Sequence, residues 1–490
     1  MKVQQSVPAL VVGAGPAGLV VATTLARQGI EVLLVERRPG GSAQPRATVL
    51  SLRTMELLRS WGLEERVLAG ADPVEMTLLE LPSAARAAEG VAHDVGIPTL
   101  AQSMVVSPTA PACVAQDHLE NVLLDHLSSL PCATVLRGVE AVAVETRDDG
   151  VVVGLREVAT GRKRVVAAGR LVAADGARST VRSLLGIDMV GPASLFTSIS
   201  VEFRAPLWDV LGDHRHLVYT VTDPAGSGVL LPAGQGDRWL FGLETTAMDA
   251  PEAAADPVRL RHRIVRASGV PDLPVRIERF RPYAAGAQLA TTFARGRALL
   301  VGDAAHRVTP RGGTGLNIAV GDGIDLGWKL AWVLRGWAPD GLLATYEQER
   351  RAAVTHNVLR SADPLGSRRP ALSEMQVDLG GRLPHAWVDD GRSVLDLVGS
   401  GLTLLVAGRS PAWGEAAAAL HGGPPVDTVT LPPMAARALG LHGDGAALLV
   451  RPDGVPVARW WSARQARVDL RRAVGGLLAG RVETDDSSAA

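Results

Sequence analysis

The chain has 490 residues, enough for about three domains at roughly 100–200 residues each. Its 50 Lys+Arg against 51 Asp+Glu leave a formal net charge of -1, which excludes the basic surface that nucleic-acid or anionic-membrane binding requires. Lysine occurs only at Lys2, Lys163 and Lys329, so almost all positive charge is arginine.

Ala9 to Ala26 is a largely apolar run near the N-terminus. Gly13, Gly15, Pro16 and Gly18 interrupt it, which suits neither a signal peptide nor a membrane span. Pro8–Val12 reads as a buried parallel strand, Gly13-Ala14-Gly15-Pro16-Ala17-Gly18 as a GxGxxG turn, and Leu19–Gln28 as a helix stopped by Gly29. Ile30–Val35 reads as a second strand ending at Glu36. Gly13 permits the tight turn, Gly15 lets the backbone approach a pyrophosphate, and Gly18 lets helix and strand pack closely. The helix N-terminus offers unpaired N–H groups to phosphate, and Glu36 stands where a carboxylate accepts from ribose hydroxyls. This pattern predicts a dinucleotide site.

Gly40-Gly41-Ser42 and Pro45-Arg46-Ala47 follow, then a short helix over Thr54–Trp61. Gln116 opens another helix. Val139–Glu145 and Val151–Val158 alternate as a hairpin around Asp148-Asp149-Gly150. The segment 170–179 ends a strand in Asp175-Gly176, and 298–306 ends another in Gly302-Asp303. Between them, Ser198–Phe203, His216–Val221, Val229–Pro232 and Trp239–Leu243 read as separated strands. Pro310-Arg311-Gly312-Gly313-Thr314-Gly315-Leu316-Asn317 leads into a long helix through Trp337. Leu342–Arg351 is helical, Ser361–Pro384 reads as a linker, and Gly480–Ala490 as a disordered tail. Cys113 and Cys132 form no CxxC pair and no disulfide framework, so two reduced thiols in a cytoplasmic protein are expected. No Cys/His cluster has metal-ligand spacing.

Together these motifs resemble those of the FAD-dependent aromatic hydroxylases, the single-component flavoprotein monooxygenases of the para-hydroxybenzoate hydroxylase fold, and among them the bacterial polyketide hydroxylases. The resemblance implies an α/β fold: a Rossmann-like FAD-binding domain, an inserted mixed-sheet substrate domain and a C-terminal thioredoxin-like domain. The expected FAD-binding domain comprises 1–75, 105–187 and 285–360; the substrate domain 76–104 and 188–284; the linker 361–384; the C-terminal domain 385–480. No cysteine follows Cys132, so thiol redox work by that last domain is excluded.

The resemblance also implies residue roles. Gly13, Gly15, Ala17 and Gly18 would hold the FAD pyrophosphate, Glu36 the adenosine ribose, and Arg37 would lie beside the adenosine. Arg46 and Gln116 would reach the phosphate and ribityl region. Asp175 is associated with both FAD and NAD(P)H, and Asp303 with the ribityl chain. Pro310 and Gly313 shape the loop over the flavin, and Leu316 and Asn317 would place N–H groups beside its pyrimidine ring. An Asp closing a parallel strand can equally cap the next helix. Phe203, Tyr219, Trp239 and Phe241 are candidate walls for the substrate, although strand aromatics commonly form core. No catalytic residue is identified; Arg46, His306 and Arg311 are the candidates. Arg311 and Asp325 depart from the family pattern, and an Arg near the flavin edge could meet an anionic substrate.

The implied activity is monooxygenation of a phenol-like, polycyclic aromatic substrate with FAD, NAD(P)H and O2, through a flavin C4a-hydroperoxide. Baeyer–Villiger or decarboxylative oxidation of a polycyclic substrate is an alternative, and a non-catalytic FAD-binding scaffold is a second. A monomer or homodimer without a membrane or nucleic-acid partner is expected.

Overall fold

The elements follow the apolar pattern. In chain order they are β1 (Gln5–Val12), α1 (Pro16–Arg27), β2 (Val32–Glu36), β3 (Val49–Leu50), α2 (Leu52–Ser60), β4 (Glu75–Leu81), β5 (Val91–Asp94), α3 (Gln116–Ser128), β6 (Ala133–Arg137), β7 (Val139–Thr146), β8 (Val151–Glu157) and β9 (Lys163–Ala173). Then come β10 (Phe196–Arg204), β11 (His216–Val221), β12 (Gly228–Pro232), β13 (Arg238–Thr245), α4 (Pro257–Ser268), β14 (Arg276–Ala285), β15 (Ala294–Arg295), β16 (Ala298–Leu300), α5 (Gly315–Leu334), α6 (Gly341–Ala362) and α7 (Ala371–Leu379). The C-terminal part holds β17 (Leu402–Ala407), β18 (Val426–Leu431), β19 (Ala447–Val450) and β20 (Pro456–Trp460). This computed structural model describes residues 3–41, 45, 47–245, 256–389 and 391–480. The expected disordered tail beyond Gly480 lies outside the described residues, as does Arg46.

The first sheet has eight strands. Its path is β15-β16-β9-β1-β2-β6, and β8 and β7 join it through β9. β1 pairs in parallel with both β9 and β2, so it is covered on both faces and reads as one apolar run, Ala9–Val12. α1 starts with Pro16, whose missing N–H is not needed at that position. α5 lies against α1, and its interior glycines explain how. A Cβ at Gly323 would stand 2.7 Å from Val20 Cγ1, and one at Gly327 2.7 Å from Thr24 Cβ. Interior glycines cost about 1 kcal/mol each in helix propensity, so close approach must repay them. α5 stops at Leu334 rather than Trp337, where Gly336 turns its N–H back onto Val333 O.

The second sheet has seven strands in the order β14-β10-β13-β12-β11-β4-β5. One face is covered by α4, through Leu260 and Ile264, and carries Ile199, Val201, Trp239 and Leu243 in a closed core. The other face carries Phe196, Ser198 and Glu244 by strand alternation. The edge strand β14 exposes Arg276 and Arg281 and includes Pro282, which discourages pairing with another sheet.

Residues 361–384 are not a plain linker. They contain α7, with Pro370 at its N-cap and Gly380 in the left-handed conformation at its C-cap. The Pro and Gly that suggested a linker are the punctuation of a helix.

The third sheet, β18-β17-β19-β20, has one parallel and two antiparallel pairings, a thioredoxin-like arrangement. It docks on α5 and α6 through a buried ionic cluster. Lys329 lies 2.8 Å from both Asp325 and Glu349, and Arg451 lies 2.8 Å from Glu349 and 2.5 Å from Asp453. Three carboxylates therefore face two cations. Burial pushes the Asp325 carboxyl up to about 6 despite Lys329. Asp453 is buried too, but Arg451 outweighs the burial and holds its carboxyl down at about 2. Among the described residues, no helix is long and apolar enough to cross a membrane.

Two predictions follow from packing and charge. Gly323→Ala should lose about 1–3 kcal/mol by overpacking against α1. Gly475→Ala, at an exposed helical position with nothing within 4 Å, should gain about 0.5–1 kcal/mol. Denaturant unfolding of both variants checks the contrast. A carboxyl raised on folding binds a proton in the native state, so its contribution to stability falls as pH rises through about 6. Asp325→Asn leaves two cations facing two carboxylates. It should raise Tm at about pH 8, and the gain should shrink at about pH 5; a Tm lowered at the higher pH would refute this.

Candidate functional site

The glycine turn separates into positions the fold needs and one it does not. Gly13 has φ +110°, and a Cβ there would lie 2.3 Å from Ala174 O. A Cβ at Gly18 would lie 2.0 Å from Gly13 O. Gly15 has nothing within 4 Å of its would-be Cβ. Its smallness therefore serves no neighbour in the chain and leaves a cradle at the N-terminus of α1. That end has no side-chain cap and no acidic residue in its first turn, so its N–H groups are available to a phosphate. Glu36 accepts from Ala14 N and Arg38 N, each at 2.9 Å, which ties the turn to the end of β2. Arg37 is exposed beside it.

Gly302, Ala17 and Ala319 meet behind this cradle. A Cβ on Gly302 would lie 3.0 Å from Ala17 Cβ and 3.2 Å from Ala319 Cβ. The first turns of α1 and α5 thus clamp the Gly302–Asp303 turn from two sides, and Asp303 stands exposed at its tip. Beneath it, Asp322 accepts from Gly302 N at 2.9 Å, meets His306 Nε2 at 2.6 Å and accepts from Arg350 Nε at 2.8 Å. Burial pushes the Asp322 carboxyl up, but His306 and Arg350 outweigh it and hold it below the usual carboxylate range. His306 is fully buried. It is therefore corrected from candidate base to a residue that supports the turn, because no substrate proton can reach it in this packing.

The N-terminus of α5 forms one side of a slot. Asn317 Oδ1 accepts from Ser51 N and Thr54 Oγ1, both at 2.9 Å, while its Nδ2 donates to Val49 O at 3.2 Å. The side chain thus ties the start of α5 to β3 and α2. Thr314 occupies the N-cap position without capping, and its buried Oγ1 has no hydrogen-bond partner among the described residues. Leu316 is buried, and Pro310 and Gly313 are exposed on the loop. A helix N-terminus without a side-chain cap, an unpartnered hydroxyl and the cradle at Gly15 fit an extended dinucleotide such as FAD. Val49, Ser51 and Thr54 were not singled out in the sequence. The signal was the short Thr48-Val49-Leu50 run directly after Pro45-Arg46-Ala47.

Two expected cofactor residues are engaged locally. The Asp175 carboxylate accepts from Ser179 Oγ at 2.5 Å and Val181 N at 3.0 Å, which caps the helix Thr180–Leu184. Burial raises the Asp175 carboxyl despite these bonds. Gln116 donates to Glu120 at 2.7 Å.

The four expected wall aromatics need correction. Phe203, Tyr219, Trp239 and Phe241 are all fully buried on the face covered by α4. The Tyr219 hydroxyl is used by the backbone, donating to His214 O and accepting from His216 N. Strand periodicity separates two faces but does not say which one a helix covers. The face turned away from α4 carries Phe196, Ser198, Glu244 and Tyr283, by the registers Ser198↔Glu244 and Ser198↔Tyr283. Arg311 lies on this face: its guanidinium is 4.2 Å from the Phe196 ring centroid and 2.9 Å from Glu244. Burial pushes the Tyr283 phenol up, against the hydrogen bond with Ser198 that lowers it.

Asp322→Ala leaves Arg350 buried without its partner and should lose about 3–5 kcal/mol. His306→Gln should lower stability without moving the pH profile of turnover. Denaturation and a pH–rate series check both, and a lost acidic limb in the profile would reinstate His306 as a base.

Comparison with known proteins gives the same assignment. Residues 6–361 match the FAD binding domain family, and residues 376–479 match the aromatic-ring hydroxylase C-terminal family. The chain is 34% identical to the tetracenomycin B2 monooxygenase-dioxygenase of Streptomyces olivaceus, covering 96% of this chain and 98% of that protein. It is 33% identical to an aklavinone 12-hydroxylase of Streptomyces purpurascens, covering 96% and 98%. Among solved structures it is similar to the ternary complex of aklavinone-11 hydroxylase with FAD and aklavinone, with TM-score 0.86, 30% identity and coverage of 98% of this chain and 100% of that one. The chain belongs to the FAD-dependent aromatic hydroxylases of the polyketide hydroxylase type, and it is a flavoprotein monooxygenase.

Proposed function

We propose that this enzyme inserts one oxygen atom of O2 into a phenol-like ring of a polycyclic, polyketide-type aromatic, at the expense of NAD(P)H. The single observation that carries this reading is the face of the second sheet turned away from α4. Phe196, Ser198 and Tyr283 share it, and Arg311, six residues before Asn317, stacks on Phe196, so we read it as the wall that a flat substrate would meet. FAD, once reduced, supplies the chemistry of O2 activation. The chain's part is to bind, orient and shield.

Gly13, Gly15, Ala17 and Gly18 would take the pyrophosphate, with the α1 N-terminus supplying positive potential. Glu36 would accept from the adenosine ribose with lone pairs left over after Ala14 and Arg38. Asp303, held out by the Gly302 clamp, would accept from the ribityl hydroxyls. Arg37, Arg46 and Gln116 would serve the phosphate and adenosine region, and Asp175 the rim. The α5 N–H groups at Leu316 and Asn317 would stabilise negative charge at the pyrimidine edge. Arg311 has donors beyond the one used by Glu244, and these would meet an acidic oxygen on the substrate.

The experiment is NAD(P)H oxidation by the FAD-loaded protein with tricyclic and tetracyclic phenols, read with product mass. A gain of one oxygen is expected; protein that binds no FAD refutes the reading. Arg311→Ala should lower substrate-stimulated kcat/KM by about tenfold or more, the loss of one charge-assisted hydrogen bond, while FAD stays bound. Unchanged kinetics would remove Arg311 from substrate recognition.

A further inference from the structure

The C-terminal domain has no cysteine, yet its Arg451-Pro452-Asp453-Gly454 turn reaches between α2 and α5, which meet at the slot assigned above to FAD. The Asp453 carboxylate accepts from Trp328 Nε1 of α5 at 3.2 Å and is held by Arg451 at 2.5 Å. The Asp453 backbone carbonyl accepts from the Arg53 guanidinium of α2. Followed the other way, α5 and α2 meet again at the slot, where Asn317 holds Ser51 and Thr54. The contacts therefore close a ring: Asp453, Arg53, α2, Asn317, α5, Trp328 and back to Asp453.

Between the two arms the packing is open. A cavity of about 200 Å³ is lined by Ser51, Arg53, Thr314, Asn317, Asp325 and Asp453. Side chains that interdigitate fix the spacing of two elements, and a void cannot. The distance between α2 and α5 on this side is instead set at the two ends of the ring. Asn317 sets one and the Asp453 turn the other. Asn317 and Trp328 are about 16 Å apart along α5 at 1.5 Å per residue, and a helix of that length is stiff.

We propose that the Arg451–Gly454 turn is a positioning element for the flavin slot: it sets the spacing of Val49–Ser51 against the N-terminus of α5 from the far side of the cavity. The proposal rests on FAD binding at that slot, as argued above. It gives the C-terminal domain a role in the redox site without any redox group of its own.

The test uses the full-length protein and two readouts, the FAD dissociation constant and the position of the visible flavin band. Arg53→Met cuts the α2 arm, Trp328→Phe removes the indole N–H to Asp453 while keeping an aromatic ring at that buried position, and Arg53→Lys keeps a donor. Arg59→Met is the control. Arg59 joins the same domains through Asp396 and Gly391, but outside the ring. Arg53→Met and Trp328→Phe should each weaken FAD at least fivefold and shift the band, and Arg53→Lys should restore both. Arg59→Met should lower Tm with FAD affinity and band unchanged. If the indole variant does not fold, the partly exposed Arg53 pair decides alone. The proposal is overturned if Arg53→Met and Trp328→Phe keep wild-type affinity and band, or if Arg59→Met alters them equally. Wild-type protein that binds no FAD overturns the flavin reading and this proposal together, which separates that failure from failure of the turn.

Discussion

The site depends on how closely α1 and α5 approach one another. Gly323 and Gly327 remove the side chains that would separate the helices, so Ala17 and Ala319 close on Gly302 from opposite sides. Two helix N-termini and one acidic turn are thereby brought to one place. Each end presents unpaired N–H groups, and together they make a positive lining for a cofactor with two phosphates and an electron-accepting ring. Without that approach the same motifs would exist in the sequence and never meet.

Charge is organised around this geometry in two buried clusters. His306, Asp322 and Arg350 sit under the Gly302 turn and fix it from below. Asp325, Lys329, Glu349, Arg451 and Asp453 sit further along α5 and join the C-terminal domain. Both hang on α5, which therefore carries the cofactor end, the supporting carboxylate and the domain contact on one rigid rod. Buried ion pairs are weak contributors to net stability, but they specify which groups come together. The arginine-rich composition acquires a meaning here: Arg53, Arg350 and Arg451 are wired into this scaffold, and Arg311 lies on the sheet face turned away from α4.

The second sheet shows where reading from sequence stops. Its strands were legible at Ser198–Phe203, His216–Val221, Val229–Pro232 and Trp239–Leu243, because apolar residues alternate there. The face assignment was not. Aromatic residues mark a face as buried, and burial beneath a helix looks the same in sequence as burial beneath a ligand. Leu260 and Ile264 of α4, remote in the chain, decide that Phe203 and Trp239 are core. The same holds for α7, whose Pro and Gly read as a linker until the helix between them is seen.

What the sequence by itself determined is local: the strand–glycine–helix unit ending at Glu36, the Asp-Gly and Gly-Asp strand ends, the glycine loop before α5, and the absence of thiols after Cys132. These follow from short-range rules of backbone conformation and apolar period, which need only neighbouring residues. Tertiary structure alone decided that Gly15 is the glycine left open for a ligand, that His306 is sealed under Asp322, that Asn317 grips Ser51 and Thr54, and that Asp453 reaches α2 and α5. Each of these is a contact between residues far apart in the chain. No local pattern encodes it, because it exists only once distant elements have packed and fixed which atoms face each other.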